Sequence, residues 1–464
     1  MKTTRCDDSP CRRALIALAV GLWWATPALA DGDRVAELER RVAELEAMVE
    51  TLLEERSGAG AEATAAARRA SGEAAQARAE AEAARREISE LDKKVQPVVA
   101  AAEEEADSPT FSYGGYIKAD LMVSDFTDGP VAGDSIGRDF FVASTIPVGD
   151  GDGQTYVDAH VRQTRFHFAT RHALDNGAEL GSYIELDFLA TAGGNERVSN
   201  SFQPRLRHAF VTYDNWLVGQ TWNTFMDVAT LPESVDFIGP AGSTSFGREP
   251  MIRYRRGGFA IALENPETTV TPLGGGRIET DTNTIPELAA RYTWRGDWGH
   301  FQVGGMLRQL AFDNDAAGID ATETGWGISV SGKAMLGRDD VRWMVHHGEG
   351  LGRQVGLNFA NGAALTDSGD LEAIGTTGAF VAYRHWWSQR WRSTAVLSWL
   401  EVDNPVRFTG TGVNESNWSG QVNLLYSPVD AFTFGVEYLT AERTLVNGLD
   451  GRLKRLQFTG KYAF

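Results

Sequence analysis

Cysteine is almost missing from this chain of 464 residues: the two present, Cys6 and Cys11, lie at its extreme N-terminus. If that stretch is cleaved off, the mature protein has no disulfide, no thiolate metal site and no cysteine nucleophile. Past the N-terminus no uninterrupted apolar run is long enough to cross a bilayer as a helix. Positive charge is scarce as well: 44 Lys and Arg stand against 63 Asp and Glu, a net charge of −19. With a pI near 4.9, the chain is not a general nucleic-acid binder, whose surface is normally basic. Motifs of bond chemistry are missing too: there is no Gly-x-Ser-x-Gly elbow, phosphate-binding loop or zinc-binding helix. The histidines, His160, His167, His172, His208, His300, His346, His347 and His385, are scattered. His346 and His347 are adjacent on a strand-like run, so they point to opposite faces and make a poor metal pair. The expectation is a protein that is not an enzyme and needs no metal or cofactor.

What the chain does have begins with a secretory signal. Lys2, Arg5, Arg12 and Arg13 form a positive n-region, Ala14–Ala25 is the apolar core, and Ala28-Leu29-Ala30 fits the cleavage rule, giving a signal peptide over 1–30. The spacing over 31–97 then predicts a coiled-coil helix: Val35, Leu38, Val42, Leu45, Val49 and Leu52 alternate steps of three and four. Ser57-Gly58-Ala59-Gly60 interrupts the pattern, Ile88, Leu91 and Val95 resume it, and Pro97 stops it. The stripe is too narrow for a helix packed on its own domain, so self-association is expected. Wholly helical, the segment would extend on the order of 100 Å at 1.5 Å per residue. Residues 98–109, with Glu103-Glu104-Glu105, read as a solvated linker.

Over 110–464 the period is two. Phe111, Tyr113, Ile117, Ala119, Leu121 and Val123 share one face, and Ser112, Tyr116, Lys118 and Asp120 the other. The same alternation recurs at Leu180–Phe188, Pro286–Trp294, Gln421–Tyr426 and Phe432–Tyr438, with turn signals such as Asp175-Asn176-Gly177 and Arg256-Gly257-Gly258 between strands. Soluble sandwiches also alternate, but strands of about ten residues, separated by short turns and long polar loops in alternation, fit outer-membrane barrels better. Aromatics gather at strand ends (Trp294 with Trp298; Trp386, Trp387 and Trp391; Tyr426 and Phe432), as interfacial girdles do. The final strand, Leu456, Phe458, Tyr462 and Phe464, ends on phenylalanine and resembles the sorting signal of bacterial outer-membrane proteins. The fold expected is an all-β transmembrane barrel preceded by an α-helical coiled coil. At about 22 residues per strand and loop it has about 16 antiparallel strands, a size that encloses an aqueous channel.

One stretch breaks the pattern. After Leu217–Trp222 the run 223–247 is too irregular for strand or helix, yet rich in Phe, Ile and Val. A loop that long and apolar is expected to fold inward and narrow a pore. Around it lie Gly219-Gln220-Thr221-Trp222-Asn223-Thr224-Phe225-Met226-Asp227, Ser234-Val235-Asp236-Phe237-Ile238-Gly239-Pro240 and Gly247-Arg248-Glu249-Pro250. With Gln163-Thr164-Arg165-Phe166 and the N-terminal coil, these motifs resemble the DcaP-like outer-membrane porins over the whole mature chain. The resemblance implies a homotrimer of 16-stranded barrels in the outer membrane of a Gram-negative bacterium, with the coil in the periplasm. It also implies a pore favouring small anionic solutes such as dicarboxylates.

In a porin, selectivity comes from pore width and the charges that line it, so side-chain facing is decisive. If Phe166 and Phe168 touch lipid, Gln163, Arg165 and His167 point inward. If Leu206 and Phe210 face out, Arg205 and Arg207 face in; if Ile252 and Tyr254 face out, Arg253 and Arg255 face in. With Lys118 and Arg248 these make a basic wall, and Asp227, Glu233 and Asp236 on the inward loop are expected to oppose it. The bland alternative is that luminal arginines merely tie the loop to the wall. Three other readings stay open: a weakly selective diffusion pore, a tether reaching peptidoglycan or another periplasmic partner through the coil, and a hydrolase with serine and histidine on the barrel wall.

Overall fold

The computed structural model of the protein describes residues 26–54, 68, 71–82, 85–86, 89, 93 and 109–464. Two compact units, Met1–Ser108 and Pro109–Phe464, divide the chain. The expected n-region and apolar core up to residue 25, the break at 57–60 and the acidic linker at 98–108 lie outside the described residues.

In the first unit, helix α1 spans Thr26–Glu54. Over 36–50 its less exposed positions are Leu38, Val42, Leu45 and Val49, the stripe singled out by their spacing. A second helical stretch, 71–82, runs the opposite way beside it, with Arg78 ion-paired to Glu46 and Arg85 to Glu39. Val42 on the first and Ala74 and Ala81 on the second are buried. The described residues thus place two antiparallel helical stretches side by side, where the spacing predicts one extended helix.

The second unit is a closed barrel. Its strands are β1 (Thr110–Phe126), β2 in two segments (Gln154–His160 and Arg165–Ala173), β3 (Glu179–Asp187), β4 (Arg205–Tyr213), β5 (Trp216–Trp222), β6 (Arg248–Arg256), β7 (Phe259–Glu264) and β8 (Glu287–Gly296). They continue as β9 (Gly299–Asn314), β10 (Ile319–Leu336), β11 (Asp339–Glu349), β12 (Gly375–Trp386), β13 (Trp391–Asp403), β14 (Asn414–Val429), β15 (Phe432–Leu445) and β16 (Asp450–Ala463). The sheet has 17 segments. Asp120–Phe126 of β1 pairs with the first segment of β2 and Thr110–Tyr116 with the second, so those two form one stave and the barrel has 16. β16 pairs antiparallel with β1 from Ala463↔Tyr116 to Leu453↔Phe126, which closes the sheet and leaves no edge. No described helix is long and apolar enough to cross a membrane.

Alternation sets the two faces. Ile117, Leu121, Ile184, Leu206, Ile252, Leu307, Leu397 and Phe458 are exposed on the outside, while Lys118, Asp120, Glu185, Arg253 and Arg392 are buried inside. Trp294, Trp298, Trp387 and Trp391 stand exposed near the short turns, as a girdle requires. Trp386, expected with them, instead lies beneath the guanidiniums of Arg384 and Arg392. The wall is uneven: β3 and β4 have 9 residues each, whereas β9 has 16 and β10 has 18.

The barrel interior is not simply polar. Loops L1 (127–153), L3 (223–247) and L6 (350–374) bend inward and bring Phe140, Phe141, Phe225, Ile238, Val355 and Phe359 into one buried apolar cluster. Luminal Leu400, Val402, Leu439 and Leu453 of the loop-side wall join it. Strands that have apolar residues on both faces there are reading a second core, not a second lipid contact.

Candidate functional site

L3 turns inward through its own side chains. Asp227 accepts from the N–H of Ala229 and caps the short 3-10 turn Val228–Thr230. Asp236 accepts from the N–H groups of Ile238 and Gly239, bending the chain into Gly239 at φ +86°, a conformation that glycine adopts without strain.

The wall from β8 round to β1 grips the loop through its backbone. Arg291 donates to the carbonyl of Met226, Arg342 to Leu231, Asn423 to Glu233, Gln421 to Gly239 and Asn417 to Gly242. Lys118 and Gln457 share the carbonyl of Val235. Glu437 on β15, 2 % exposed, accepts from the Ser234 hydroxyl and from the N–H groups of Val235 and Asp236 at 2.8–3.0 Å. A buried carboxylate is tolerated there because these donors replace its hydration.

The loop carboxylates take part in this grip, which corrects the expectation that they oppose the arginine wall. Asp227 accepts from His300 and Ser331, each at 2.8 Å. Burial pushes its carboxyl up, but the His300 hydrogen bond and charge, with the Ser331 hydrogen bond and the Arg291 charge, outweigh burial and hold it below the ordinary range. Glu233 accepts from Arg392 at 2.5 and 2.8 Å and from Arg384 at 3.3 Å. Burial raises it as well, yet the Arg392 hydrogen bond and the two guanidinium charges hold it low. Asp236 accepts only backbone N–H groups, adding Phe141 at 2.8 Å, and burial pushes its carboxyl up. Each acid sits where loop geometry needs an acceptor, on the far side from β4 and β6.

Three residues expected to line the pore also belong to the grip. Lys118 is 6 % exposed and bonds Asp120, Gln163 and Val235, so its ammonium is committed to the grip; Gln163 is 2 % exposed and accepts from Lys118 through Oε1, while its Nε2 has no partner. Arg253 donates to Thr224 Oγ1 at 2.8 Å and to the Trp222 carbonyl at 2.5 Å, anchoring the start of L3. For these the bland alternative holds. Arg255 is exposed beside the β6–β7 turn, away from the constriction, whereas His167 stands opposite Glu185 in register and stacks on Tyr183 at 5.4 Å.

The remaining arginines come together. Arg205 forms a two-point ion pair with Asp187, both contacts 2.9 Å; Arg207 bonds Glu185 at 2.7 Å and Asp187 at 2.9 Å; Arg165 lies 3.4 Å from Glu185. A β-bulge shapes this cluster. Glu185 is opposite His208 and Leu186 opposite Leu206, so Arg207 is the extra residue. The bulge aims Arg207 and His208 into the same interior and reverses parity after them. Phe210, expected on the lipid face, therefore turns inward and stacks on Tyr183 at 5.5 Å, while Val211 and Tyr213 face out.

Arg248 differs from its neighbours. Among the described residues it has no ion pair, and its Nη1 is buried without a hydrogen-bond partner. It lies 5.0 Å from the Trp222 ring and 5.9 Å from Phe246, while Arg207 lies 5.4 Å from Phe237. Together with Arg205, Gln220, Phe140, Phe237 and Phe246 it lines a cavity of ≈ 210 Å³. Four guanidiniums, of Arg165, Arg205, Arg207 and Arg248, thus share two carboxylates, Glu185 and Asp187, opposite a loop that offers ring faces and no acid.

The profile of the DcaP outer membrane protein family matches residues 168–464. The chain belongs to that family. A search of curated proteins finds no match. Among solved structures, the outer membrane channel DcaP of Acinetobacter baumannii aligns at 23% identity with a TM-score of 0.65, over 77% of this chain and 98% of that one. An anion-selective porin from Comamonas acidovorans aligns at 10% identity and 0.48, over 77% and 100%. This DcaP-family barrel is therefore an outer-membrane protein with the porin architecture.

Parity reasoning missed three groups in the DcaP-family site. Glu185 and Asp187 were visible as the polar face of β3, but nothing local ties them to β4. Glu437 was visible as a luminal acid on β15, 203 residues from the Ser234 it holds. Phe237 and Phe246 were visible only as loop aromatics.

Proposed function

We propose that the protein is a porin for passive diffusion of small hydrophilic solutes that favours anions, dicarboxylates among them, at the gap between L3 and β4–β6. The observation that carries this is half-buried Arg248, whose buried Nη1 is an unused donor beside the cavity shared with Arg205. An arginine fork matches a carboxylate in two-point geometry, and a narrow low-dielectric passage focuses the field of a local charge excess. The whole-chain charge of −19 does not oppose this, because the lining and not the total acts on a solute in the gap. Two-acid solutes suit a site with two adjacent guanidiniums, and the ring faces of Phe237 and Phe246 accept their carbon skeleton.

The test is the reversal potential of planar bilayers under a salt gradient, comparing the native channel with the Arg205→Ala/Arg248→Ala double variant. The anion-to-cation permeability ratio is expected to fall about tenfold; an unchanged ratio sinks the proposal.

A homotrimer with its helical unit in the periplasm is part of the same reading, with outer-membrane lipid around the barrel. The presence of a helical unit beyond the barrel in the chain favours a second, compatible role as a tether to peptidoglycan or a periplasmic partner. Deleting 31–107 should leave conductance intact and release any such attachment.

A further inference from the structure

A second cavity, ≈ 330 Å³, opens among the long loops, between Ser144 of L1, Thr271 and Arg277 of the β7–β8 loop, Phe359 of L6 and Arg443 of β15. Its volume falls at the lower end of ligand-binding clefts, about 300–1,000 Å³. No Asp or Glu lines it. Arg277 donates from Nε to Asn361 Oδ1 at 2.7 Å and from Nη2 to the Asn358 carbonyl at 2.5 Å. Arg443 donates from Nε to Asn414 Oδ1 and from Nη1 to the Ile146 carbonyl, both at 2.7 Å. Neither is in an ion pair among the described residues, and each retains a terminal nitrogen (Nη1 of Arg277, Nη2 of Arg443) with no protein acceptor.

The braces matter as much as the charges. Asn361 is itself held by Thr271 and the Gly276 carbonyl, and Asn414 by the Phe359 carbonyl. Both guanidiniums are thus fixed before any ligand arrives, which lowers the ordering cost of binding. The cavity also shares two of its loops with the constriction. L1 contributes Ser144 to the outer space and Phe140 to the inner one; L6 contributes Phe359 to the outer and Leu357 to the inner. The partition between them includes Leu357 at φ 54° and Asn358 at φ 61°, a left-handed backbone that asparagine tolerates and that leucine rarely adopts.

We propose that Arg277 and Arg443 form an outer capture site for small carboxylate-bearing anions, which loads solute from the loop side before it reaches Arg205 and Arg248. This rests on the anion-porin reading above. Two weak sites in series let an anion enter readily and still leave, since each binds part of the way. The site acts on entry from one side only, and that distinguishes it from the constriction.

The experiment uses the full-length channel inserted in one orientation in a planar bilayer, with succinate added to either side and current interruptions counted. Arg277→Gln/Arg443→Gln is expected to lower the event rate for loop-side succinate at least about fivefold, and to leave turn-side events within about twofold. Arg277→Gln alone, at an exposed position, should lower the loop-side rate in part. It keeps the test valid if loss of the Arg443 braces perturbs folding. An unaltered loop-side rate, or equal falls from both sides, overturns the capture site and leaves the constriction reading standing. A native channel that excludes succinate altogether overturns both.

Discussion

The two sides of the lumen treat L3 differently. From β8 round to β1, lysine, arginine, asparagine, glutamine and glutamate side chains are used up on the loop's backbone and acids. From β3 to β6, guanidiniums face the rings of Phe237 and Phe246 across a gap, and the Arg248 side chain has no ion pair or hydrogen bond among the described residues. The first side spends its polar groups on holding L3; on the second, Arg205 and Arg207 pair with Glu185 and Asp187, Arg253 anchors the start of L3, and Arg248 keeps an unused donor. A charged lumen residue is therefore not evidence of a role in selectivity until its partners are known, and the same residue type, arginine, serves both purposes in one barrel.

The comparison breaks most severely at Glu437. Glu437→Ala leaves the half-buried Ser234 hydroxyl and the buried Val235 and Asp236 N–H groups without an acceptor, at about 1–3 kcal/mol for each buried N–H. L3 should come off the wall, with a conductance increase and easier heat unfolding of the barrel in detergent. Native conductance together with native heat resistance would show that the loop is held without it.

Acid should act on the same side next. Ionised Glu233 is favoured by Arg392 and Arg384, so its carboxyl titrates below the ordinary range. A lowered folded value means that its stabilisation is complete above the ordinary carboxylate range. It is lost as pH falls through the lowered one. Conductance fluctuations from a loosened loop should thus appear only below the pH at which exposed glutamates protonate, and Glu233→Gln should show them at neutral pH. A variant as quiet as the native channel would contradict this.

The smallest effect on selectivity is expected at Arg253. Its donors hold Thr224 and Trp222, so Arg253→Ala should cost stability of about 1–3 kcal/mol and change the reversal potential far less than Arg205→Ala/Arg248→Ala does. A selectivity loss as large as the double variant's would show that Arg253 acts on solute as well as anchoring L3.

Much of the barrel was legible in residue order because alternation is a covalent property of an extended chain. Leu206, Ile252 and Phe168 face out and Arg205, Arg253 and Arg165 face in, as period two requires. The reading failed where an extra residue entered the count: the bulge at Arg207 has no local signature, so Phe210 was placed on the wrong face. It failed again where an apolar residue had two suitable destinations. Leu400 and Val402 fit lipid or a loop core equally well by type, and the inward loops decide for the core. The helical unit shows the same limit, since heptad spacing on α1 does not say whether its cover comes from another chain or from Ala74 and Ala81 of its own.

By itself the amino-acid order determined that this is a β-barrel with one face for lipid, an inward loop after Trp222 and arginines on strands near that loop. Those follow from side-chain direction and turn chemistry within a few residues. Only the tertiary structure decided which cations stay free. Glu233 reaches Arg392 across 159 positions and Glu437 reaches Ser234 across 203. Neutralisation depends on distances of a few ångströms between strands that the chain brings together only on closing the cylinder.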